Sequence, residues 1–138
     1  MKKDDVIETF TLLQTDENTK KIFDADISAR IPYCLHCCIY NFDREVWVED
    51  DILYNYDLGG NCQTLKILNE QGACLMYYQI RPYLRPMSNM TEEEIEELSN
   101  YVNPVQRTDF FYSHHIDCRF MIEKGLALVA PEGMYKTK

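Results

Sequence analysis

Apolar positions recur at helical spacing early in the chain: Ile22, Phe23, Ile27 and Ile31, with Lys20, Lys21, Asp24 and Ser28 on other faces. Asp16 is placed to cap this segment, and Pro32 ends it, because proline disfavours helical backbone in the residue before it. The pattern predicts a helix over 16–31. A weaker one is predicted over 4–13, around Val6, Ile7, Phe10 and Leu13.

From Tyr33 the period becomes extended. Residues 33–42 are aromatic, β-branched and apolar on both faces, which predicts a central strand covered on both sides. Residues 45–49 and 52–56 read as two shorter strands, followed by 62–68 and 73–80. The turn residues between them, Asp57-Leu58-Gly59-Gly60-Asn61 and Asn69-Glu70-Gln71-Gly72, tolerate positive φ. Four or five strands in sequence predict an antiparallel β-meander, either an open sheet or an SH3-like small barrel.

Beyond residue 80 the punctuation changes. Two prolines within 81–86 remove backbone donors, so an extended crossing is expected there and not a central strand. Thr91 and Glu94 form a capping box for a helix over 92–101, whose glutamates suit the positive end of the helix dipole. Asn103-Pro104 starts a second helix reaching about His114. Asp117 caps a short turn that Gly125 stops, and the apolar run 126–130 packs back on the body. The reading is one α+β domain over 1–138: helical over 1–31, antiparallel strands over 32–80, then the crossing and helices over 81–138.

Composition narrows the function. The chain has 138 residues and a net charge of −9, from 14 Lys and Arg against 23 Asp and Glu. That balance argues against direct binding to nucleic acid or to an anionic membrane, since both need cations. The acidity is concentrated in residues 43–80, which carry seven acids and two bases. No apolar run approaches a membrane span, and the polar opening MKKDDVIETF lacks the apolar core of a signal peptide. A cytoplasmic setting is expected. The six cysteines are then free thiols, and not a disulfide framework.

Several constellations could carry chemistry. Cys34, Cys37, His115 and Cys118 have the ligand types and spacings of a structural zinc site, with His36 and Cys38 beside them. On a strand, however, Cys34, His36 and Cys38 share one face and Cys37 takes the other. The sequence reading therefore assigns no metal, with that quartet as the alternative. His114, His115, Asp117 and Cys118 are the types of a nucleophile, base and orienting acid, but their closeness in sequence says little. Histidines at a helix end facing the negative dipole are the structural explanation.

Charge and aromatics suggest binding instead. Glu45, Glu49, Asp50, Asp51 and Asp57, with the carboxylates of 92–97, could attract a basic partner or imitate nucleic-acid phosphates. Tyr33, Tyr40, Phe42, Trp47, Tyr54, Tyr56, Tyr77, Tyr78 and Tyr83 crowd the strand region, and such residues dominate interface hot spots. The expectation is a non-enzymatic interaction module with no cofactor, a protein partner and room for a homodimer. Trp47, Asp50, Asp51, Tyr54 and Tyr56 carry the contact. A small metal-binding or Cys/His-dependent enzyme and an acidic nucleic-acid mimic are the rivals.

Two stretches, RPYLRPMSNMTEEEIEEL and SHHIDCRFMIEKGLALVAPEGMY, resemble small uncharacterised proteins of gut Bacteroidales and their prophages and phages. Ala29-Arg30-Ile31-Pro32-Tyr33 is similar to them too, so the resemblance covers about half of the chain. It implies a phage or mobile-element setting and cytoplasmic expression, and no reaction.

Overall fold

A computed structural model describes residues 16–41, 46–56, 61–64, 75–76 and 80–135, with side chains omitted at 40–41, 46–51, 54–56, 61–64 and 75–76. The helix expected over 4–13 and the turns at 57–60 and 69–72 lie outside these residues. The architecture is mixed α+β. Helix α1 (Glu17–Arg30) precedes strands β1 (His36–Asn41), β2 (Val46–Tyr56), β3 (Asn61–Thr64), β4 (Leu75–Met76) and β5 (Ile80–Leu84). Helices α2 (Glu92–Ser99) and α3 (Pro104–Ser113) follow, and β6 (Leu128–Val129) closes the order.

Helix α1 starts where Asp16 accepts hydrogen bonds from the amides of Asn18 and Thr19. Its buried stripe repeats at 23, 26, 27 and 30, and so includes two charged residues among the apolar ones. Asp24, expected on a polar face, is buried as well. After Arg30 the chain tightens into a 3-10 turn, Ile31–Tyr33, with Pro32 inside it.

The strands are ordered β4-β3-β2-β1-β5-β6. β1 to β4 form the expected antiparallel meander, and β5 returns to pair antiparallel with β1. Three expectations are corrected here. The two strands predicted over 45–56 are one strand of 11 residues, and register shifts opposite Cys37/Ile39 and at Leu53/Asn55 appear instead of a turn. Such irregularities let a long strand bend while it keeps its partners. The stretch 73–80, read as one strand, divides between β4 and β5 on opposite sides of the order.

Third, Arg81-Pro82 lies in an interior strand. Cys37 faces Pro82 across the β1–β5 ladder, and β6 pairs only from Tyr83 onward. On its β6 side Pro82 therefore has no ladder partner to disappoint, which is where a strand tolerates proline. β6 runs parallel to β5, so the sheet is not purely antiparallel. Among the described residues the sheet is open, with β4 and β6 at its edges and no ladder between them.

The main core gathers Phe23 and Ile27 of α1, Leu35, Cys37 and Ile39, Leu53, Ile80 and Leu84, with Met121, Leu126 and Ala127 from the C-terminal segment. Cys38 is buried too, so β1 is covered on both faces as its composition predicts. Leu98, Phe110 and Ile116 form a second cluster between α2, α3 and the chain beyond them. The return of that chain depends on Asp117, whose two carboxylate oxygens accept from the Met121 and Ile122 amides at 2.8 and 2.9 Å. Gly125, at φ 76°, then ends the turn. Asp117→Ala is expected to cost about 1–3 kcal/mol, since two amides at a buried turn lose their acceptor. Asn at 117 should recover part of that loss in urea unfolding.

Candidate functional site

The C-terminal end of α3 shapes the site. The Ile116 amide donates to Phe111 O and the His115 amide to Tyr112 O, the two hydrogen bonds of a Schellman ending. The residue closing such an ending is left-handed and is usually glycine. Here it is His115, at φ 54°. A side chain in that conformation costs about 1–2 kcal/mol. The imidazole offsets this cost through its own contacts. Its Nε2 lies 2.6 Å from the Tyr33 carbonyl oxygen, and its ring stacks on Tyr135 with centroids 4.2 Å apart.

A carbonyl oxygen can only accept, so Nε2 carries the proton and Nδ1 of the neutral ring holds a lone pair. That Nδ1 is buried and has no hydrogen-bond partner among the described residues. Burial is the main reason that the imidazole pKa falls from 6.5 to about 4, and the charges of Arg30, His36 and His114 add to it. The expectation of a cationic histidine at the helix dipole therefore fails for His115.

Around His115 lies a cleft of about 250 Å³, walled by Tyr33, Cys34, His36, His114 and Tyr135 among others. Cys34 is exposed and also left-handed, at φ 56°. The Tyr135 hydroxyl accepts from the His36 amide at 2.8 Å and donates to Tyr83 O at 2.8 Å, which fixes the ring between β1 and β5. Arg85 forms the floor through a bidentate pair with Glu94 at 2.8 and 2.6 Å. Glu94 also accepts from the Thr91 amide and completes the predicted capping box. The Arg85 hydrogen bonds are the main cause that brings the Glu94 carboxyl from 4.5 to about 2.

On the other side of Tyr33 and Ser113 a groove of about 280 Å³ runs between α2 and α3. Tyr33, Tyr101 and Phe110 give it aromatic walls, and Glu97 and Asp109 give it carboxylates. The Tyr101 hydroxyl donates to Glu97 at 3.1 Å. Val102 and Val105, 90% and 66% exposed, stand in the adjoining loop and first turn of α3.

The structure divides the residues singled out in the sequence. Of the zinc quartet, Cys34 and His115 line the cleft, Cys37 is fully buried in the main core, and Cys118 is half-buried outside the cleft. Among the described residues no three His, Cys, Asp or Glu side chains stand together as metal ligands. His114 and His115 reach the cleft, while Asp117 is occupied as a turn cap. Trp47, Asp50, Asp51, Tyr54 and Tyr56 all lie on β2, between β1 and β3, with side chains outside the description. Arg85, Tyr101, Asp109, Phe110 and Tyr135 are the site residues that sequence reasoning did not single out, whereas Glu94 and Glu97 belong to the acidic set expected over 92–97. The capping box did mark Glu94 as fixed in place.

No helix among the described residues is long and apolar enough to cross a membrane. No protein-family model, curated protein or solved structure matches this chain.

Proposed function

We propose that the domain is a non-enzymatic protein-interaction module whose α2–α3 groove takes a cationic side chain of a protein partner. The observation that carries this reading is the groove itself, where Tyr33, Tyr101 and Phe110 line one concavity together with Glu97 and Asp109. Aromatic faces and carboxylates are the two kinds of group that attract ammonium and guanidinium. Exposed valines beside the groove add apolar contact, and the net charge of −9 favours encounter with a basic partner. An accessory role in a phage or mobile element is the setting that the sequence resemblance suggests.

Met76 and Ile80 are four residues apart, a reach of about 14 Å, whereas four strand spacings in a flat sheet span about 19 Å. The order β4-β3-β2-β1-β5 then favours a sheet curled toward an SH3-like body.

Arginine- and lysine-bearing peptides titrated calorimetrically test the function. Binding should weaken with added salt, and the double variant Glu97→Gln/Asp109→Asn should weaken it by about tenfold or more, roughly 1.4 kcal/mol. Equal affinity of the double variant and the native protein for every basic peptide would refute the reading.

A further inference from the structure

The two carboxylates of the α2–α3 groove are in different states. Glu97 Oε2 already accepts the Tyr101 hydroxyl at 3.1 Å, which orients that side chain. Asp109, exposed on α3, makes no side-chain hydrogen bond or ion pair among the described residues, so both of its oxygens are free. Arg107, the cation nearest to it in sequence, is already used. Its Nη1 donates to Leu98 O and Tyr101 O at 3.0 and 3.1 Å and braces the corner between the helices.

A free carboxylate edge beside aromatic rings separates guanidinium from ammonium. A guanidinium is planar and weakly hydrated, so it can present two parallel N–H bonds to one carboxylate while its face lies on a ring. An ammonium is a compact, strongly hydrated point charge with no such fork. Tyr33, 42% exposed, and Tyr101 line the groove, and Phe110 stands behind Tyr101 with ring centroids 6.2 Å apart. The fold holds one guanidinium of its own in this way. Arg30 is forked onto Asp26 at 2.7 and 3.2 Å, with its guanidinium carbon 5.1 Å from the Tyr112 centroid.

We propose that the groove selects arginine over lysine, with the partner's guanidinium forked onto Asp109 against the aromatic wall and Glu97 as the second charge. The inference rests on the interaction-module reading and names the side chain which that reading leaves open. Glu97 and Asp109 are both exposed, so a guanidinium reaches them without entering the core.

The test titrates a short glycine–serine peptide, with one variable central residue, into isotope-labelled protein and follows the amide resonances. Arginine, lysine, trimethyllysine and citrulline take the central position in turn. Arginine should bind about tenfold more tightly than lysine, the worth of one charge-assisted hydrogen bond. Citrulline, which has the shape of arginine without its charge, should show no saturable shift. Asp109→Asn should bring arginine and lysine to parity, whereas Glu97→Gln should weaken both alike and keep their ratio. Both variants replace exposed side chains, and resonances unchanged outside the groove show that the fold is kept.

Lysine bound as tightly as arginine, or trimethyllysine more tightly, overturns the selectivity and leaves the interaction module standing. An arginine preference that survives Asp109→Asn overturns it too, since the fork is then not at Asp109. Citrulline matching arginine, or no saturable shift with any cation, removes both readings.

Discussion

Asp26→Ala should remove about 3–5 kcal/mol of unfolding free energy, a large share of the 5–15 kcal/mol that holds a domain together. Asp26 and Arg30 are one helical turn apart on α1, and both side chains are 0% exposed. Their oxygens and nitrogens meet at 2.7 and 3.2 Å, and Arg30 Nη2 also donates to Ile116 O at 2.8 Å. That last bond ties α1 to the chain just past α3. Arg119 stands 3.7 Å from the same carboxylate, and both guanidiniums lie near the Tyr112 ring, at 5.1 and 5.9 Å. Without Asp26 a fully buried guanidinium loses its counter-ion, and a second cation remains close by. The double variant Asp26→Ala/Arg30→Met should recover much of the loss, because no fully buried charge is left unpaired and Arg119, 38% exposed, keeps its contact with water. Urea unfolding of the two variants decides the matter. Equal losses would mean that the pair is not what α1 depends on.

Stability should also fall in two acid steps, the first governed by His115. The unfolded chain takes up a proton on this residue near pH 6.5, whereas the folded chain resists it until about pH 4. Between those values the unfolded state binds more protons, so stability drops as pH falls from 6.5 to 4, by up to about 3 kcal/mol. Glu94 governs the second step. Its folded-state pKa of about 2 lies below the ordinary 4.5, so its contribution is present above pH 4.5 and is lost as pH falls toward 2. Thermal unfolding across this range should show His115→Gly flattening the upper step and sparing the lower one. An unchanged upper step in that variant would mean that another group sets it.

Local grammar was readable from the sequence, and long-range partnership was not. Asp16, the Thr91–Glu94 box, Asn103-Pro104 and Gly125 each act within five residues, and each stands where its sequence context predicts. The strands were harder, because a strand's partners are set by the fold and its hydrophobic pattern names none of them. Pro82 is compatible with β5 only because β6 pairs one residue later, which no local pattern reveals. The buried pair on α1 had a signal that could have been used: Asp26 and Arg30 fall on the same helical stripe as Phe23 and Ile27. For His115 there was no such signal. Its contacts reach Tyr33, 82 positions away, and its left-handed backbone arises at a position where glycine is the usual residue.

Tyr135 sets a limit on when the cleft can exist during synthesis. Its hydroxyl spans His36 and Tyr83, and its ring is one wall of the His115 cleft. A ribosome delivers residues in order, so α1 and the meander can collapse long before that wall has emerged. The nascent chain therefore holds a half-built cleft, its His115 face uncovered, until residue 135 has cleared the exit tunnel. The cleft is then completed only when Tyr135 docks between β1 and β5, after α1 and the meander have been made.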